Sequence, residues 1–208
     1  MEKNTKEKIL EEALKLFARS GYMGTSMNDI ASQLGVTKAA LYKHYSSKQE
    51  ILDSIVERMN QMDLQRSKEY EMPEGDMDEV IEGYKTIALE KIKQYTKVQF
   101  LHWTEEEFSS CFRKMLTLEQ YRSPEMSKLY QKYLAEEPLH YMKTIFSGMV
   151  ENSEEAKQLA INFYGPIFLL YSIYDGSENK QEVVKQLDAH VERFSKHYFK
   201  SGDEYDKR

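Results

Sequence analysis

One cysteine, Cys111, is all this chain has, so no internal disulfide is possible and a reducing compartment is expected. Prolines number 4 and glycines 9 among 208 residues, and long stretches carry neither. That scarcity argues against many short strands and for long helices. No apolar run approaches the ~20 residues of a membrane span. The opening residues, Met1 to Lys8, lack the apolar core of a signal peptide, so a cytoplasmic protein is expected, with no membrane partner. Positive charge is also short: the net charge is −6, which looks wrong for a polyanion-binding protein.

The distribution of charge resolves that conflict. Residues 1–48 hold eight Lys and Arg against five acids, a balance of +3, and the remainder carries −9. A basic amino-terminal unit on an acidic body binds a polyanion with one end. The excess is modest, so two copies are expected to act together.

Within the basic part, residues 26–45 read as two short helices joined by a glycine turn. Met27, Ile30, Ala31 and Leu34 keep the i, i+3, i+4, i+7 spacing of a buried face. Gly35 follows where a left-handed helix end favours glycine. Thr37 caps the second helix, and Leu41 and Tyr45 pack inward from it together with Ala40. Lys38, Ala39, Tyr42, Lys43 and His44 then point outward. Two lysines, a histidine, a tyrosine and an alanine suit phosphates and base edges, with Ala39 small enough to meet a thymine methyl. A short second helix braced by the first has the shape that enters a major groove.

The flanks are equally periodic. Ile9, Leu10, Ala13, Leu14 and Phe17 give a helix over 5–20 that ends at Gly21, and Thr25 or Ser26 caps the next. Ser47 and Glu50 form a capping box for a fourth helix, apolar at Ile51, Leu52, Ile55, Val56 and Met59 and running to about residue 70. Glu71 to Asp76, with Pro73 and Gly75, is the clearest break. Beyond it every stretch reads as helix. One spans Val80 to Ile92 and another lies around 105–121. A long one opens at Ser123-Pro124 and runs to Val150, another covers 152–175, and the last covers 179–199. The predicted architecture is all-α: a helix-turn-helix domain over 1–48, a connecting helix over 49–70, a larger domain over 71–200 and a flexible tail over 201–208.

Several residues resemble the TetR family of bacterial transcriptional repressors. They are Ile9-Leu10-x-x-Ala13-Leu14-x-Leu16-Phe17, Gly21-Tyr22, and Thr25-Ser26-Met27-x-x-Ile30-Ala31. Next come Leu34-Gly35-Val36-Thr37-x-x-x-Leu41-Tyr42-x-His44-Tyr45 and Ser47-Lys48-x-x-Ile51-Leu52. The match covers about the first 55 residues almost without gaps, far denser than a single short motif. The family often has Gly at the position of Ala39 or Ala40, and Phe at that of Tyr45.

The resemblance implies a homodimeric repressor on double-stranded DNA, with recognition helices in successive major grooves of a near-palindromic operator, about 34–36 Å apart. A small effector bound by the larger domain would release it. Carried over by position, Thr37, Lys38, Ala39, Tyr42, Lys43 and His44 form the recognition surface. Thr25 and Ser26 are counted with them, and Lys48 binds a phosphate. For the effector, aromatic and methionine walls are expected from Phe100, Trp103, Phe108, Met115, Tyr133, Tyr141, Met142 and Phe163, with an apolar or cationic ligand.

The segment Phe163 to Tyr174 is apolar on nearly every side, which one small bundle cannot bury. A dimer interface is therefore expected at Ile167, Phe168, Leu170, Tyr171 and Tyr174, joined by Leu187, Val191 and Phe194 of the last helix. His102 precedes Glu105 and Glu106 at metal-compatible spacing. No second His or Cys cluster stands near it in sequence, so neither a metal nor a cofactor is expected. No converging catalytic constellation supports an enzyme. The competing readings are a helical metal-dependent enzyme and an effector-independent DNA-binding regulator or activator.

Overall fold

The computed structural model describes residues 2–87 and 89–198; Ala88 and the tail expected over 201–208 lie outside the described residues. Among the described residues there are eleven helices and no strand. In chain order they are α1 (Glu2–Ser20), α2 (Met27–Leu34), α3 (Lys38–Tyr42), α4 (Lys48–Glu69), α5 (Met77–Thr86) and α6 (Leu89–Thr104). There follow α7 (Glu107–Glu119), α8 (Pro124–Leu134), α9 (Glu136–Ser147), α10 (Ser153–Gly176) and α11 (Lys180–Tyr198). No described helix is long and apolar enough to cross a membrane. The chain forms two compact units, one of residues 1–72 with 105–132, the other of 73–104 with the chain from 133 onward.

The first unit is built on the periodic apolar faces. Ile9, Leu10, Ala13, Leu14 and Phe17 of α1 are buried, as is Leu16. Ile51, Leu52, Ile55 and Met59 of α4 meet them in one core, and each large apolar side chain contributes about 1.5–3 kcal/mol. Helix α7 packs along α1 and buries Phe108, Phe112, Met115 and Leu116. Lys15 pairs with Glu107 at 3.1 Å, and the Arg58 guanidinium lies 4.0 Å from the Phe108 ring centre. Two of the expected effector residues, Phe108 and Met115, therefore belong to this unit's core. The stripe that made them look like a ligand wall is the stripe that packs α7.

In the second unit Phe100 of α6 stacks on Tyr171 of α10 at 5.3 Å and meets the edge of Tyr174 at 5.6 Å. Phe163 of α10 lies 4.9 Å from Phe194 of α11 and 6.1 Å from Phe146 of α9. This aromatic core uses residues expected at the dimer interface. Ile167, Leu170, Tyr171, Tyr174, Leu187, Val191 and Phe194 are all buried within the single chain, which leaves them little surface for a second copy. Of the eight, Phe168 is exposed. The outward side of α10 instead carries Ile161, Phe168, Leu169 and Ile173.

The long helix expected over 123–150 is broken into α8 and α9 at Ala135, which leaves the helical region at φ −131° and ψ −87°. Pro138 explains the break: it has no N–H for the Leu134 carbonyl and its ring would collide with that oxygen. Tyr164 donates its hydroxyl to the Leu134 carbonyl instead, at 2.9 Å. The helix expected over 80–92 likewise ends early, at Ile87 with ψ 137°.

Candidate nucleic-acid interface

Three caps set the geometry of the α2–α3 hairpin. Ser26 accepts from the Asp29 N–H at 3.2 Å while the Asp29 carboxylate accepts from the Ser26 N–H at 2.8 Å, a reciprocal box that fixes where α2 begins. The Ser26 hydroxyl, which donates to the same carboxylate at 2.7 Å, and the Ser26 N–H hold the Asp29 carboxyl below its ordinary range. Gly35 ends α2 at φ 67°, ψ 29°, which turns the chain sharply toward α3. The Thr37 hydroxyl then accepts from the Ala40 N–H at 3.1 Å. Inside the hairpin, Met27, Ile30, Ala31 and Leu41 are buried, and Tyr45 closes the core with its ring under the Lys6 ammonium, 5.4 Å from the centre. Burial raises the Tyr45 hydroxyl, so it stays neutral.

What α3 leaves outside is the expected face. Thr37, Lys38, Ala39, Tyr42 and Lys43 are exposed, and the Lys38 ammonium sits 5.7 Å from the Tyr42 ring centre. His44 is half-buried rather than outward, and Ala40 is half-exposed rather than interior. The reason is an open cleft of about 410 Å³ along the inner flank of α3, lined by Lys8, Ile9, Leu34, Val36, Ala40 and His44 among others.

Two residues do something else. Thr25 is buried, with its hydroxyl donated to the Gly21 carbonyl at 2.8 Å, so it holds the turn and has no surface for DNA. Ser26, beside it, is exposed. The Lys48 ammonium donates to the carbonyls of Tyr22 at 2.6 Å and Thr25 at 2.8 Å, and lies 4.2 Å from the Tyr22 ring centre. Burial lowers its pKa, against the pull of the Glu119 carboxylate. Lys48 is thus a strut between the start of α4 and the α1–α2 turn. The Tyr22 hydroxyl, which burial pushes up to about 12, completes the brace by donating to Gln49 Oε1 at 2.8 Å. Sequence periodicity carried no sign of Gln49; its partner is 27 positions away.

The remaining expected site residues fall in the second unit. Phe100, Trp103, Tyr133 and Phe163 are buried there, and Tyr141 and Met142 are half-buried on α9. Phe100 and Phe163 both enter the aromatic core described above. His102 is fully buried with its ring 5.1 Å from Trp103. Among the described residues no group of three or more His, Cys, Asp or Glu side chains could hold a metal ion. Glu90 and Glu105 to Glu107 are exposed.

A capped helix pair presenting a short basic second helix defines a helix-turn-helix DNA-binding protein. The family description "Bacterial regulatory proteins, tetR family" matches residues 9–55. The biofilm operon icaADBC HTH-type negative transcriptional regulator IcaR of Staphylococcus aureus is 30% identical over 133 residues, covering 61% of this chain and 70% of that protein. IcaR of Staphylococcus epidermidis is 44% identical over 52 residues, which is 25% of this chain and 28% of its own length. Among solved structures, a SmeT–triclosan complex has a TM-score of 0.65 at 17% identity, covering 96% of this chain and 93% of that one. A transcriptional regulator from Saccharomonospora viridis in complex with choline has a TM-score of 0.61 at 20% identity, covering 94% and 97%. The chain belongs to the TetR family of bacterial transcriptional regulators, DNA-binding proteins and not enzymes.

Proposed function

We propose that this chain is a cytoplasmic, homodimeric repressor that holds a near-palindromic operator and leaves it when a small effector binds. The observation that carries the DNA half is the outward face of α3, where Lys38, Ala39, Tyr42 and Lys43 stand exposed on a hairpin fixed by Ser26, Gly35 and Thr37. Lysines on such a face gain affinity by releasing counterions, and a bidentate or methyl contact from the same helix adds sequence preference. Repression is what the related staphylococcal regulators do by name.

The second copy is supported by α10. Ile161, Phe168, Leu169 and Ile173 recur at helical spacing on its outward side, Ile161 one turn before Gly165 and the other three between Gly165 and Gly176, two glycines where a Cβ would meet nothing within 4 Å. Large apolar groups beside bare backbone suit a close helix–helix contact, and a twofold arrangement would bury the stripe against itself. In this reading residues 1–48 bind DNA, 49–70 connect, and 71–200 bind the effector and the partner. The effector is small and enters among the aromatic and methionine side chains of that larger part, as the triclosan and choline complexes of structural neighbours suggest by analogy.

Selection of bound sequences from random duplex DNA, read against salt concentration, tests the reading. A recovered palindrome with a steep salt dependence is the expected result. No enrichment at low salt would overturn it.

A further inference from the structure

The cleft beside α3 lies wholly within the first unit. Lys8 and Ile9 line it from α1, and Ala40 and His44, one turn apart, line it from α3 and just beyond. Leu34 and Val36 complete it at the end of α2 and the turn that follows. Helices α1 and α3 both pack on α2, so the cleft runs between two helices that share one support. Its volume, about 410 Å³, falls in the range of small-molecule sites, roughly 300–1,000 Å³.

Two features of the lining select an occupant. The first is apolar surface that the chain leaves uncovered: Leu34 and Ala40 are only half-buried beside the buried Ile9, and Val36 is 44% exposed. The second is charge. Lys8 brings an ammonium, the His44 ring can turn an N–H to an acceptor, and among the described residues no carboxylate lines the cleft. Glu12, one turn along from Lys8, is engaged elsewhere, accepting from Gln33 at 3.1 Å and pairing with Lys15 at 3.2 Å. A cationic ligand would be repelled by Lys8, and a sugar-phosphate would leave the apolar lining in water. An apolar body with one acidic group satisfies both features.

We infer that this cleft is a second ligand site, separate from the effector site of the larger part, and that it takes a small free apolar acid which opposes DNA binding. Seated against Ala40 and His44, the acid holds its charge on the inner flank of the helix whose outer flank carries Lys38 and Lys43. A helix is about 10 Å across, no more than the screening length of ordinary salt, so that charge weakens the pull of both lysines on phosphate. Duplex DNA and the acid then weaken each other by the same factor.

Pyrenebutyrate and its methyl ester, whose emission reports an apolar surrounding, test this on the full-length protein. The acid should bind more tightly than the ester. Lys8→Gln, at an exposed position, should weaken the acid on the order of 3- to 10-fold and leave the ester unchanged. Val36→Glu, also exposed, puts a carboxylate in the cleft and should remove one equivalent of bound acid per chain without changing the melting temperature. A saturating random-sequence duplex at low salt should weaken the acid, again on the order of 3- to 10-fold. Full stoichiometry and affinity in both variants would put the acid elsewhere and overturn the inference. So would equal binding of the ester, bound duplex that leaves the acid in place, or attachment to phosphatidylglycerol vesicles without binding of the free acid. Each of these results leaves the effector reading of the larger part standing.

Discussion

Gly21 and Gly35 form a matched pair. Both hold positive φ, 80° and 67°, where an L side chain costs about 1–2 kcal/mol. Their surroundings differ. A Cβ on Gly35 would meet nothing within 4 Å, whereas one on Gly21 would fall 2.1 Å from Glu119 Oε1 and 2.6 Å from Arg122 Nη1. Glu119 is fully buried and bonded to Arg122 at 2.9 Å, so its carboxylate cannot simply swing into water. Stranding a buried carboxylate costs roughly 3–5 kcal/mol; Arg122 is half exposed and its pairing is partly screened, so displacing Glu119 should cost no more than about half that, near 2 kcal/mol. Gly35→Ala should therefore lose about 1–2 kcal/mol and Gly21→Ala about 2 kcal/mol more. At ~2–4 °C per kcal/mol for a chain of this size, Gly21→Ala should melt roughly 4–8 °C below Gly35→Ala by circular dichroism. In a Glu119→Ala background the carboxylate is gone and the half-exposed Arg122 side chain, released from its partner, can swing into water, so Gly21→Ala should then cost no more than Gly35→Ala. Equal melting of the two single variants, or an excess that survives Glu119→Ala, would refute the steric argument.

Lys48→Met keeps the stem and removes two charge-assisted bonds, so melting should fall by the equivalent of about 1.5–3 kcal/mol, whereas Lys43→Ala should leave melting alone and lower the salt slope of DNA binding by about one per subunit. A Lys48 variant that melts normally but loses salt slope would make it a phosphate ligand instead of a strut. Charge on the outward side of α10, as in Leu169→Glu with Ile173→Glu, should give well-folded monomers by light scattering; intact dimers would remove that side as the interface. Hydrogen bonds from Lys93 and Lys196 hold the Glu192 carboxyl at about 2, below its ordinary 4.5, so its contribution is present above pH 4.5 and lost as pH falls toward 2. Glu192→Gln should flatten the acid limb of the stability profile across that window, and an unchanged limb would show the pairing absent in solution.

The amino-terminal hairpin was legible because its signals are local. The spacing of Met27, Ile30 and Ala31, a glycine at a helix end and hydroxyls at helix starts all act within one or two turns and recur in the structure, whereas Leu34 of the same stripe is only half-buried, at the edge of the cleft beside α3. The role of Lys48 was not legible, since its partners at Tyr22 and Thr25 are set by how α4 meets a turn more than twenty positions earlier. On α10 the apolar character was legible but its partition was not. A helix apolar all round says that every side is covered, and which side meets its own chain depends on where α6, α9 and α11 lie. Tyr171 and Tyr174 went inward onto Phe100, which left Leu169 and Ile173 outside.

The break between α8 and α9 is the miss that a single residue explains, and it yields a direct test. Periodicity runs smoothly from Pro124 to Ser147, yet a continuous helix would leave the Leu134 carbonyl facing the ring of Pro138, at a cost of about 3 kcal/mol. With alanine at 138 that cost disappears and a new N–H is offered to the same carbonyl. The break would then be held by the Tyr164 hydroxyl on Leu134, worth roughly 0.5–1.5 kcal/mol net, and by local packing. The balance should tip, and in Pro138→Ala the amide of residue 138 should become protected from hydrogen exchange as the two helices join. Tyr164→Phe in the same chain should raise that protection further. An amide at 138 that exchanges freely in both variants would mean that packing around Ala135, and not the proline, divides the helix.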